Sequence, residues 1–123
     1  MTEQEMRAEI AAQTARIQRA DPAREFQIIG IFQMKWQGRV LFELLEKSPR
    51  RFGDLKREVP GISNAVLSNV LRSLEEAGLV TREQFNEMPP RVEYALTERA
   101  AGMLPIYYEM LRWEAAYCPE SFE

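Results

Sequence analysis

No histidine occurs among the 123 residues, and Cys118 is the only cysteine. The first absence removes the commonest general base, and with it Ser-His-Asp and Cys-His chemistry. The second excludes an intramolecular disulfide. Together they leave a zinc or transition-metal site to be built almost wholly from carboxylates. Neither a nucleophile–base pair nor a phosphate loop is visible, so no catalytic residue, metal ligand or cofactor is expected and an enzyme is the weakest reading. Long apolar runs are missing as well, which argues against a membrane span. The opening Met1-Thr2-Glu3-Gln4-Glu5 is acidic and polar. A secretory signal would start basic and turn apolar, so the expected location is the cytoplasm.

Hydrophobic residues make up 46% and charged residues 28%, the balance of a folded domain able to bury one core. The net charge of −3 is unpromising for a nucleic-acid binder until it is divided along the chain. Residues 47–91 carry 8 basic side chains against 6 acidic, whereas residues 92–123 carry 2 against 6. The middle is the mildly basic part. That permits contact with DNA without establishing it.

Thr2 to Glu5 has the form of a capping box, and Met6, Ile10 and Ile17 recur at helical spacing up to Asp21-Pro22. The stripe is thin: it suits packing on a neighbouring helix, such as one from a second subunit, or a frayed terminal helix. Residues 23–34 read as a short apolar helix. Trp36 to Glu46 places Val40, Leu41, Leu44 and Leu45 on one face. After Ser48-Pro49, the run Arg50-Arg51-Phe52-Gly53 is expected to be extended, and Asp54 to Glu58 a brief helix with Leu55 and Val59 inward. Pro60-Gly61 forces a turn, Ser63 suits an N-cap, and a helix follows from Asn64 to Ala77 with Val66, Leu67, Val70, Leu71 and Leu74 inward. Gly78 stops it. Residues 79–82 and 92–96 then read as strands of a two-stranded hairpin. From Thr97 to about Tyr117 runs a last helix, apolar over much of its circumference, that Pro105 should kink or break.

Helix, short helix, Gly-containing turn, helix and hairpin form the order of a winged helix-turn-helix. The expected fold class is therefore mainly α with a small β-hairpin, divided into 1–20, 21–97 and 98–123. The recognition helix would span about 63–77 and lie in the major groove, with the wing at about 79–96 on the backbone or minor groove. Outward on that helix lie Asn64, Ser68, Asn69 and Arg72, side chains able to bond base edges, with Ser63 at its N-terminus beside free backbone N–H groups. Arg50, Arg51, Lys56 and Arg91 are the candidate phosphate contacts. Polar side chains on a helix face are ordinarily just solvated; the hairpin directly behind them is what favours DNA.

Several stretches in order resemble the HxlR-type regulators: Lys35-Trp36, Leu41-Phe42-Glu43-Leu44-Leu45, Arg50 to Leu55, Pro60-Gly61-Ile62-Ser63, Leu71 to Glu75, Ala77 to Val80, and above all Pro89-Pro90-Arg91-Val92-Glu93-Tyr94-Ala95-Leu96-Thr97. The resemblance covers roughly residues 23–117. It implies a bacterial or archaeal winged-helix transcription factor, homodimeric through its N- and C-terminal helices, bound to double-stranded DNA at a pseudo-palindromic operator. On that basis Met6, Ile10, Ile17, Met103, Ile106, Tyr107, Met110, Leu111 and Trp113 are the candidate dimer residues. Many members carry a sensing cysteine about a dozen residues before the Lys-Trp pair, where this chain has Asp21-Pro22-Ala23-Arg24. Thiol sensing by that route is therefore absent. Two other readings stay open: a winged-helix protein-interaction module without DNA binding, and a repressor gated by an apolar or aromatic effector of unknown identity between the dimer helices. Trp36, Trp113 and the Tyr107-Tyr108 pair could line such a pocket or simply pack.

Overall fold

The amphipathic stretch after Met34 forms the helix that the rest of the domain is built upon. The structure is a computed structural model describing residues 1–20 and 27–122. Its helices and strands are α1 (Glu3–Ala20), α2 (Gln27–Gln33), α3 (Lys35–Glu46), β1 (Arg50–Arg51), α4 (Phe52–Glu58), α5 (Asn64–Glu76), β2 (Val80–Phe85), β3 (Arg91–Leu96), α6 (Glu98–Ala101) and α7 (Leu104–Tyr117), followed by a 3-10 turn over Pro119–Phe122. Val40, Leu41, Leu44 and Leu45 of α3 are buried against Leu67, Val70, Leu71 and Leu74 of α5, with Leu55, Val59 and Ile62 closing the same core. Burying a leucine side chain contributes about 2 kcal/mol, so this apolar cluster is what holds α5 in place.

Two compact units are present, residues 1–31 and 32–123. In the first, α1 starts as its sequence dictates. The Glu5 N–H donates to Thr2 Oγ1 at 3.0 Å and the Thr2 N–H to a Glu5 carboxylate oxygen at 3.4 Å, a reciprocal cap. No residue of α1 is buried, and Ile10 is 64% exposed. The apolar helix expected over 23–34 is seen as α2; its first four residues lie outside the described ones.

The second unit holds a three-stranded antiparallel sheet in the order β1-β3-β2. Sequence periodicity yields only a hairpin because β1 is two residues long, too short to show alternation. Arg50 and Arg51 pair with Tyr94 and Glu93. The hairpin strands run longer than their apolar pattern, with Phe85 opposite Arg91. Beyond Arg82 the wing leaves the core, so no alternation marks its length. α4 begins two residues early, at Phe52, because the Arg51 N–H donates to the Asp54 carboxylate.

Pro105 marks a break. The terminal helix divides into α6 and α7 around Gly102, and Pro105 sits in the first turn of α7, where its missing N–H costs nothing. Among the described residues, no helix is long and apolar enough to cross a membrane.

Candidate nucleic-acid interface

α5 is set by its two ends. At the start, Ser63 Oγ accepts from the Val66 N–H at 3.1 Å, satisfying one of the helix's orphan donors. At the finish, Gly78 adopts φ +75°. Its N–H reaches the Glu75 carbonyl at 3.0 Å, and the Leu79 N–H reaches the Leu74 carbonyl at 2.9 Å. This is a Schellman stop, open to glycine at little cost. The wing is tied to the same end: Thr97 Oγ1 donates to the Gly78 carbonyl at 2.7 Å and Arg99 to the Ala77 carbonyl at 2.9 Å.

The turn before α5 is braced by side chains. Lys56 Nζ donates to the Ile62 carbonyl at 2.9 Å, and Arg39 to the Glu58 carbonyl at 3.1 Å. Gly61 takes φ +87°, with Trp36 close to where a Cβ would stand. Behind α5, Gln37 Nε2 donates to Ser73 Oγ at 2.7 Å. The outward row of Asn64, Ser68, Asn69 and Arg72 is exposed along one face, and none of these side chains is bonded among the described residues. A rigid helix thus carries an unengaged polar row opposite a buried apolar one, with a three-stranded wing at its C-terminal end.

The model of the HxlR-like helix-turn-helix family matches residues 31–122. The chain belongs to this family. Among its relatives, the uncharacterized HTH-type transcriptional regulator YkvN of Bacillus subtilis is 40% identical over 88 residues, covering 72% of this chain and 74% of that one. BH0655 of Halalkalibacterium halodurans, also an HTH-type transcriptional regulator, is 42% identical over 79 residues, 64% of this chain and 70% of its own. Among solved structures, the reduced form of the transcriptional regulator YodB from B. subtilis aligns with TM-score 0.66 at 28% identity, over 74% of this chain and 88% of that one. The redox regulator HypR in its oxidized form gives 0.64 at 32% identity, over 72% and 91%. YkvN, BH0655 and YodB are transcriptional regulators and HypR is a redox regulator; these are regulators, not enzymes.

In this HxlR-like chain the expected phosphate contacts separate. Arg51 is exposed and makes no ion pair among the described residues. Lys56 is half-buried and spends one donor on the Ile62 carbonyl. Arg50 does not fit a phosphate role. It is only 9% exposed and forms a buried pair with Glu43 at 3.2 Å. Arg91 is folded back into the wing, stacked over the Phe85 ring at 4.1 Å with Glu87 at 3.3 Å and Glu93 at 3.5 Å. Its Nε is buried without a hydrogen bond. Its charge is largely countered within the wing. Glu43 and Arg82 were not anticipated from sequence. Glu43 lies at the edge of the apolar arc of α3, and Arg82 within a short polar strand, so neither periodicity singles out.

The candidate dimer residues also divide. Met103 is part of the domain's own core at 7% exposure. Tyr107 stacks on Phe42, with ring centroids 4.5 Å apart, and burial pushes its phenol above the usual value, helped by Glu46. Ile106, Met110, Leu111 and Trp113 are exposed, as are Met6 and Ile10 of α1; Ile17 is half-exposed. Phe42, Tyr107, Met110, Leu111, Trp113 and Glu114 line an open groove of about 440 Å³. Cys118 is a free thiol at the end of α7.

Proposed function

We propose that this HxlR-like chain regulates transcription as a homodimer that binds double-stranded DNA sequence-specifically. The observation that carries the reading is the unengaged row Asn64, Ser68, Asn69 and Arg72 on a helix whose opposite face is buried. Asparagine can pair with adenine through two bonds, and the row begins at the helix N-terminus, the end that meets base edges in helix-turn-helix docking. The N-terminal N–H groups beside Ser63 and the exposed Arg51 supply phosphate contacts.

A second copy of the chain is the occupant of the apolar face of α7. Not one residue of that helix is buried, although Leu104, Ile106, Met110, Leu111 and Trp113 are all exposed. A face this extensive on a monomer is an interaction surface. α1, with its narrow exposed seam, is by itself a further surface suited to a neighbouring helix. The exposed apolar residues extend well past the groove at Phe42 and Tyr107, which favours a helix over a small effector as its cover. Two recognition helices about 34 Å apart would read successive major grooves, so the operator is a pseudo-palindrome.

Selection of bound fragments from random duplexes tests this reading. A two-fold symmetric site is expected, with its preference relaxed in Asn69→Ala. A folded chain that enriches no sequence, and ignores duplex even at low salt, would point to a protein partner instead.

A further inference from the structure

α5 and β2 enclose a small polar pocket of about 180 Å³, lined by Ser68, Leu71, Arg72, Glu75, Arg82 and Tyr94. Two arginines from different elements therefore share one space. Neither makes an ion pair or hydrogen bond among the described residues, in contrast to Arg39, Arg50, Arg57 and Arg91, each of which is held by a carboxylate. Arg82 faces Tyr94 across the β2–β3 ladder, and the Tyr94 hydroxyl likewise has no partner among the described residues. Leu71 beneath them is buried, so the floor of the pocket is part of the core.

We propose that this pocket is a phosphate clamp in which Arg72 and Arg82 together hold one phosphate of the DNA backbone. The assignment rests on the DNA-binding reading above and deepens it. Arg72 and Arg82 are both exposed and unpaired at this pocket, with Glu75 its one acidic side chain, so an anion entering between them meets a net positive site. Guanidinium groups match phosphate oxygens with paired donors, which a lone ammonium cannot do. Position fits as well. Arg72 follows Asn64 and Ser68 at successive intervals of four on the outward row, so the pocket lies about two helical turns from the base-reading end of α5. Arg82 is fixed by the ladder and α5 by its core stripe, so the phosphate would set the register in which Asn64 and Asn69 meet the bases. Arg72 then acts on the backbone and not on a base, and Arg82 takes the role expected of Arg91. Glu75 on the wall opposes the anion and limits the affinity.

The test uses the full chain on the operator recovered by selection, with affinity measured against salt concentration. Arg72→Gln and Arg82→Gln should each weaken binding about tenfold, the worth of a charge-assisted contact. Because both serve one phosphate, the double variant should flatten the slope of log affinity against log salt by about 0.9 and no more. The thermal midpoint should stay as in the wild type, and Glu75→Gln should bind more tightly. A double-variant slope equal to that of the wild type would overturn the clamp while leaving the DNA reading intact. A fall of about 1.8 would mean two separate phosphates and overturn the shared site. Wild-type chain that binds no duplex at any salt would sink both. If the double variant unfolds, Arg82→Gln alone decides, since unchanged affinity and slope there also end the proposal.

Discussion

α5 and α7 are helices of nearly equal length, 13 and 14 residues, and opposite fates. α5 alternates buried leucines and valines with Asn, Ser and Arg, and buries Leu67, Val70, Leu71 and Leu74. α7 is the more apolar of the two in sequence, yet none of its residues is fully buried. Composition alone would give the opposite order. What decides burial is whether the apolar residues form one stripe facing an available partner. α5 has α3 and the wing to meet it. α7 spreads its apolar residues around its circumference and meets its own domain chiefly through Tyr107 on Phe42. The remainder stays exposed, which is the ground for proposing a second copy as its cover.

This contrast can be broken from either side. Leu67 of α5 is fully buried, so Leu67→Ala should lower unfolding free energy by about 3 kcal/mol in chemical denaturation. A loss below about 1 kcal/mol would mean that α5 is not packed as described. Glu43→Ala should cost about as much, roughly 3 kcal/mol, because it strands the buried Arg50 without its counter-charge. Arg50→Gln should leave the salt slope of DNA affinity unchanged, since Arg50 is held inside the domain; a flattened slope would restore it as a phosphate contact. On α7, Trp113→Glu should leave the far-ultraviolet spectrum intact and weaken self-association about thirtyfold or more in sedimentation equilibrium, as removal of an aromatic anchor does. Unchanged association, or a wild type that is monomeric at high concentration, would remove the second copy from the face of α7.

Much of the fold was legible one residue at a time. Thr2 and Glu5, Ser63, Gly78 and Thr97 mark element ends because capping and left-handed backbone are local chemistry, fixed by a few consecutive residues. The stripes of α3 and α5 were legible because burial on one side of a helix imprints a period on the sequence. The polar row of α5 follows from the same period read on the other side. The pairing of β1 with β3 left no such imprint, since two residues carry no period. Nor could the state of each arginine be read. Arg50 and Arg91 look as free as Arg72 and Arg82 in the sequence, and only distance to carboxylates separates them.

The sequence by itself determined that no histidine-based chemistry and no disulfide within the chain is available here, where the capped starts of α1 and α5 and the glycine stop of α5 fall, and which residues of α5 face outward. These follow from residue identity and short-range spacing. Tertiary structure decided which cations are already neutralised, that Met103 serves the domain's own core, and that Arg72 and Arg82 share one pocket. Those facts depend on residues far apart in the chain. Charge and burial act through space, and a charge pair such as Glu43–Arg50 or a cross-strand neighbour such as Arg82–Tyr94 exists only once the chain has folded.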